Sequence, residues 1–295
     1  MPTSILTIAN QKGGVGKTTT VVNLAASYAQ MNKRVLVVDM DYQANSSELL
    51  GVAEEAQKSG RNLATGILRE LPLDQLRLPS NTEGIDVLAA TRELDDVREK
   101  MQGQPLQHLM LNLILDCPAL EEYDLVLIDT HPSLDCLLLS ALVASHYYLV
   151  PMFAEKTSSK GLAHMVSWTQ RMRRLNPMLL FLGVVITRYD RTVATHVKFE
   201  KLIREAGKAA NFHVFQTLIP SSASVPGSDA ANQVLLTYKR TAPVTIAYSA
   251  LAGEMLPYLK GKRTGRVPTL NVEALQEVAD EFEVMPEVSY DEGTE

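Results

Sequence analysis

Gln11-Lys12-Gly13-Gly14-Val15-Gly16-Lys17-Thr18 is the segment whose residue types and spacing are best suited to chemistry. An apolar run (Ile5, Leu6, Ile8, Ala9) precedes it, and Val21, Val22, Leu24, Ala25 and Ala26 follow at helical spacing. Strand, glycine turn and helix in that order make the context of a phosphate-binding loop. Three glycines let the backbone turn its N–H groups toward an anion, and the helix N-terminus adds a partial positive charge. The nucleotide-binding set read from this segment is Gly13, Gly14, Val15, Gly16, Lys17, Thr18 and Thr19. Lys17 is placed to reach the β- and γ-phosphates, and the Thr18 hydroxyl to hold Mg²⁺.

Two further segments supply carboxylates. Asp39-Met40-Asp41-Tyr42-Gln43-Ala44-Asn45 follows the second apolar run, and Asp41 is positioned to bind Mg²⁺ through water or to orient the attacking water. Tyr123-Asp124-Leu125-Val126-Leu127-Ile128-Asp129 reads as a buried strand ending in a Mg²⁺-holding carboxylate. Acidic residues at strand C-termini lie where open α/β sheets bind their ligands. The loop departs from the ordinary GxxxxGK[ST] form: Gln11 stands at its first glycine, and Lys12 adds a second cation. A second cation suits a site where charge builds up during phosphoryl transfer, so Lys12, Lys17 and Asp41 form the catalytic candidates.

The segment Lys12–Thr18 resembles KGGxGK[ST], the deviant Walker A signature of the ParA/MinD ATPases, and the similarity extends over roughly residues 3–258. That resemblance implies ATP and Mg²⁺ as cofactors and a homodimer in which Lys12 crosses to the partner's nucleotide. Asp41 matches the second aspartate of the family's DxDPQ switch, with Tyr42 in place of proline, which predicts a less constrained switch backbone. Thr130-His131-Pro132-Ser133 resembles the D-x-P-P-S turn, with His131 in place of a proline. The resemblance places adenine-facing backbone at Ile219-Pro220. No NKxD guanine motif occurs, the nearest equivalent being Thr187-Arg188-Tyr189-Asp190, which favours ATP over GTP.

The elements that must position these groups are short apolar runs at Ser4–Ala9, Arg34–Asp39, Ile85–Ala89, Leu125–Asp129, Tyr147–Val150, Leu182–Thr187 and Val214–Ile219. Nearly continuous hydrophobicity suits strands buried on both faces. With helical patterns between them they predict an α/β fold, a doubly wound, mostly parallel sheet with helices on both faces. Residues 51–83 read as an irregular, partly helical insert near the nucleotide-facing edge. The 19 residues from Cys136 to Ala154 lack Asp, Glu, Lys and Arg, but the change from Leu/Ala-rich to Tyr-Tyr-Leu-Val reads as buried helix then buried strand, with no transmembrane segment.

The chain has 295 residues, 46% hydrophobic and 21% charged, with net charge −6. Residues 261–295 carry three bases against nine acids, so the remainder balances at zero. This divides the chain into an ATPase domain (1–260) and an extension (261–295) of linker, acidic amphipathic helix over 271–284 and tail. Cys117 and Cys136 form no CxxC pair, and no basic-then-apolar leader opens the chain, so a reducing cytosol is expected.

Lys198, Lys201, Arg204 and Lys208 recur every three or four residues in a helix expected over 193–210. With Arg191 and Arg240 they make a candidate strip for nonspecific DNA. The resemblance implies the ParA (Soj-like) partition branch: a cytoplasmic, nucleoid-associated ATPase that dimerises with ATP, binds DNA and is released when a ParB-like adaptor stimulates hydrolysis. Two relatives of other function are disfavoured. A MinD-like membrane ATPase uses a basic terminal helix, whereas this terminus is acidic. An iron–sulfur carrier would need a second thiolate context that Cys117 does not provide beside Cys136.

Overall fold

The computed structural model describes residues 3–155 and 158–260. The expected linker, acidic helix and tail (261–295) lie outside the described residues. Seven strands form one sheet: β1 (Ser4–Ile8), β2 (Val35–Met40), β3 (Leu78–Pro79), β4 (Ile85–Leu88), β5 (Leu125–Thr130), β6 (Tyr147–Phe153) and β7 (Leu180–Thr187). Their spatial order is β3-β4-β2-β5-β1-β6-β7, parallel throughout except for the two-residue β3.

Alternation along each strand explains the continuous hydrophobicity. In β2, Val35 and Val37 enter one core while Leu36, Val38 and Met40 enter the other. In β5, Leu125 and Leu127 join the first and Val126 and Ile128 the second. Both faces are covered, as an all-parallel centre requires. The first face packs on α1 (Lys17–Gln30), through Val21 and Leu24, and on the helix Pro243–Lys260, through Val244, Leu251 and Met255. The second is covered in part by helices Glu93–Met101 and Cys136–Ala144. The uncharged stretch thus divides as expected into a helix and β6, and among the described residues no helix is long and apolar enough to cross a membrane.

Two expectations fail at the sheet edges. Val214–Ile219 is not a strand: it meets β7 and the residues after it through isolated bridges, Val184 to Val214 and Tyr189 to Pro220, and a further hydrogen bond from Ile219 N–H to the Ile186 carbonyl at 2.9 Å. The insert 51–83 is partly helical as expected (Ala53–Ser59, Leu63–Arg69, Leu73–Leu76), but it lies by the β4 edge and none of its residues lines the cleft at the nucleotide loop.

Gly183 shows why β7 is irregular. Its φ is +139°, the β6–β7 register shifts beside it, and a Cβ there would lie 2.4 Å from the His213 carbonyl oxygen. The edge segment therefore approaches β7 at a distance only glycine allows. Gly183→Ala should destabilise the fold by more than about 1 kcal/mol, read as a lower urea midpoint. Gly253→Ala, with open space at the new methyl and a gain in helix propensity, should hold or raise the midpoint. A wild-type midpoint for Gly183→Ala would disprove this packing.

Candidate nucleotide site at the strand C-termini

Strand register brings the chemistry together before any loop does. β5 lies between β1 and β2, so Asp129 sits opposite Ile8 on one side and Asp39 on the other. The loop after β1 then lies above these carboxylates. Asn10 fixes its start: Nδ2 donates to the Pro151 carbonyl at 2.7 Å, and Oδ1 accepts the Lys12 N–H at 2.9 Å. The loop's far side is held by Thr187, whose hydroxyl hydrogen-bonds the Val15 carbonyl at 2.9 Å. Gly14 and Gly16 have φ of 73° and 85°, left-handed values that turn the chain into α1 without Cβ strain.

Beneath the loop, charge is buried. Lys17 is 7% exposed, and burial lowers its pKa against the pull of Asp129 and Asp41. Asp129 is fully buried; burial raises its carboxyl to about 6, while the hydroxyls of Ser46 and Thr18 pull it down. Ser46 Oγ donates to Asp129 Oδ2 at 2.6 Å, and the buried Oδ1 has no hydrogen-bond partner. Asp39 is raised further, to about 8, by burial and by facing Asp129. Its Oδ2 accepts the N–H and hydroxyl of Ser47 (2.9 and 2.7 Å), while its Oδ1 accepts the Asp41 N–H at 3.1 Å. Asp39 is thereby an organiser of the switch turn, and Asp41 is left to face the cleft.

A cleft of about 820 Å³ opens above these groups. Gly13, Gly14, Gly16, Lys17, Thr18, Thr19, Asp41 and Pro220 line it, as the sequence led one to expect. Val15 and Asp129 do not: Val15 is in the core and presents its carbonyl to Thr187, and Asp129 lies below the floor. Ile219, Ser221, Ser222, Asp229 and Tyr248 line the cleft too. The orphaned Asp129 oxygen, beside Thr18 and Lys17, fits a cation carried in with phosphates. Among the described residues no group of three or more His, Cys, Asp or Glu side chains forms a metal cage by itself.

Several participants carried no readable signal. Ser46 and Ser47 follow the switch as ordinary helix-start residues, yet they bond the two buried aspartates. Lys12 pairs with Glu155 of its own chain, and its ammonium lies 5.4 Å from the Phe153 ring centroid. Tyr42, expected to loosen the switch, lies with its ring tilted against that of His131. Cys136 is buried, with its thiol pushed up to about 11, and Cys117 is half-buried, so neither resembles a cluster ligand.

The basic strip needs one correction. In the helix Ala194–Ala210, Lys198, Lys201 and Lys208 are exposed, as is Arg191 ahead of it and Arg240 further along the chain. Arg204 instead turns inward: Nε donates to Glu200 at 2.8 Å, and Nη1 reaches the carbonyls of Val214 and Phe215 at 3.4 and 3.3 Å. It satisfies the edge segment and is withdrawn from the candidate surface.

Known proteins share this arrangement. The AAA domain family matches residues 3–181. The chromosome-partitioning ATPase Soj of Thermus thermophilus is 35% identical over 254 residues, covering 85% of this chain and 94% of that protein. A cobyrinic acid a,c-diamide synthase from Mycobacterium smegmatis, solved with an ATP analogue and magnesium, superposes with TM-score 0.74 at 25% identity, covering 91% of this chain and all of that one. McdA from Cyanothece reaches TM-score 0.75 at 20% identity over 86% of this chain and 99% of its own. Identity at the level of Soj, sustained over nearly the whole of both chains, makes this protein a member of the ParA/MinD family of deviant Walker A ATPases.

Proposed function

We propose that the protein is a positioning ATPase of the partition type. It dimerises with ATP, holds nonspecific DNA in that state, and releases it when an adaptor of the ParB kind stimulates hydrolysis. The observation that carries this reading is the division of charge at the site: glycine N–H groups and Lys17 above, buried carboxylates below. Such a site takes an anion and a cation together, which is the chemistry of Mg-ATP. The M. smegmatis structure, with its ATP analogue and magnesium, supports the same pairing.

In this mechanism Gly13 to Thr19 wrap the phosphates and Lys17 neutralises them. Thr18 and Asp129 would hold Mg²⁺, with Asp41 near it; the ion would supply positive charge to the phosphates. Asp41 orients water for in-line attack, and it needs no proton transfer of its own because phosphoryl transfer depends mainly on placement and charge. Lys12 extends to the nucleotide of a second subunit. ATP then favours the closed dimer because its γ-phosphate is contacted from both chains, and hydrolysis removes those contacts. A cytoplasmic, nucleoid-associated protein is the corresponding setting.

Light scattering with a slowly hydrolysed ATP analogue tests the core of the proposal. Wild type should double in mass with the analogue and remain single with ADP, while Lys12→Ala should bind nucleotide yet stay single. Asp41→Asn keeps an acceptor for the Gln43 N–H, a 2.9 Å bond in the structure. It should double in mass while losing turnover by about 100-fold, the scale of a lost water-positioning charge. A wild type that stays single with the analogue, or an Asp41→Asn enzyme with normal turnover, would refute the mechanism.

DNA binding is tested on the exposed lysines. Lys198→Glu combined with Lys201→Glu should weaken ATP-dependent retention on DNA equally across sequences. The slope of log affinity against log salt should fall by about 1 to 2. Retention equal to wild type would remove this helix from the interface, and ATP-dependent flotation with liposomes instead of DNA retention would favour a membrane role.

A further inference from the structure

The two turns that carry Asp41 and Asp129 are tied together at two depths. Below the floor, Ser46 Oγ donates to Asp129 Oδ2 at 2.6 Å. At the rim, the rings of Tyr42 and His131 meet with centroids 4.4 Å apart and planes 32° apart. Tyr42 is the residue after Asp41, and His131 comes two after Asp129. His131 lines the cleft with Asp41 and Gln43; Tyr42 is half-buried against the core on the sheet's second face. His131 is oriented in turn by a 3.0 Å hydrogen bond between its Nδ1 and Ser133 Oγ.

We propose that the Tyr42–His131 contact is a positioning device for hydrolysis, clamping the Asp41 turn to the turn after β5 so that Asp41 is held where it orients water. The inference rests on the ATPase reading above. Both residues stand where the motifs resembled in the sequence have proline. A proline restrains its own backbone, fixing φ near −65°. Here the restraint is moved off the backbone into a contact between side chains. That contact does something two prolines cannot: it links one turn to the other. The backbone around Asp41 is otherwise held by the Met40–Thr130 pairing of β2 with β5 just before it, by Asp41 N–H to Asp39 and by Ala44 N–H to the Asp41 carbonyl (2.8 Å). His131 serves here through its ring face, as a positioning residue, and takes no proton from water.

A double-mutant cycle in steady-state ATP hydrolysis tests the device. Tyr42→Ala and His131→Ala should each lower kcat about 3- to 10-fold, the range an aromatic pair can supply, with KM for ATP within 2-fold of wild type. The double variant should fall no further than the weaker single variant, because the second removal finds no contact left. Tyr42→Phe and His131→Phe keep two rings in contact and should retain kcat; loss in His131→Phe alone would show that the imidazole acts by its nitrogens and overturn the proposal. Multiplicative losses in the double variant, or wild-type kcat in either alanine variant, would overturn it too. Hydrogen exchange without nucleotide supplies a second readout. Each alanine variant should speed exchange in both turns, residues 41–46 and 130–134, and acceleration confined to the mutated turn would dismiss the clamp. Should the wild type fail to hydrolyse ATP, the ATPase reading falls, and the exchange measurement still decides whether the turns are coupled.

Discussion

The structure depends on one electrostatic constraint: a lysine and three aspartates, none more than 7% exposed, crowd together at a glycine loop. Lys17 is buried with its ammonium disfavoured by that burial, and Asp39 and Asp129 face each other across adjacent strands with both carboxyls pushed upward. Each buried charge would be costly alone. They are tolerable because each partly answers another, and because Ser46 and Ser47 donate hydroxyl hydrogens to the two most deeply buried carboxylates. The sheet order produces this confrontation: β1, β5 and β2 are neighbours, so the phosphate loop and both acidic strand ends must meet.

That arrangement gives the neighbouring parts their form. Asp39 is held by three donors from the switch turn and the short helix after it, so its carboxylate is occupied in shaping backbone. Asp41, one residue past the end of β2, lines the cleft and is the carboxylate open to it. Ser47 Oγ also accepts the Ala90 N–H at 3.0 Å, which carries the same network to the end of β4. The turn that carries Asp41 is thus anchored at its base by the Asp39–Ser47 network.

The central strands were legible in the sequence because their hydrophobic runs are nearly unbroken and end in residues with obvious chemistry, as in Leu125–Asp129. The edges were not. An apolar run such as Val214–Ile219 looks the same whether it pairs along its length or only at isolated points, and Leu78–Pro79 is too short, and too proline-bound, to register as a strand. Helical spacing likewise placed Arg204 with the lysines of its helix, since period alone does not say which side chain turns inward. Its inward turn and the missing strand have one cause: the irregular segment leaves the Val214 and Phe215 carbonyls for a guanidinium to meet. The nucleotide loop was readable because glycine and lysine requirements are local. The serine partners of Asp39 and Asp129 were not, because nothing but the folded register brings them there.

Lys12 bears on the proposed dimer through where it lies in a single chain. Its side chain does not line its own cleft; it lies by Phe153 and pairs with Glu155. Within one chain, then, only Lys17 of the loop's two lysines is committed to the phosphates. The Lys12–Glu155 pair is partly open to solvent, its side chains 35% and 42% exposed, and such a pair contributes no more than about 1 kcal/mol. A triphosphate presented by another subunit offers several negative charges in a space that dimerisation would dry, where each interaction strengthens. In the proposed dimer, Lys12 would leave this pair for the phosphates of the second subunit.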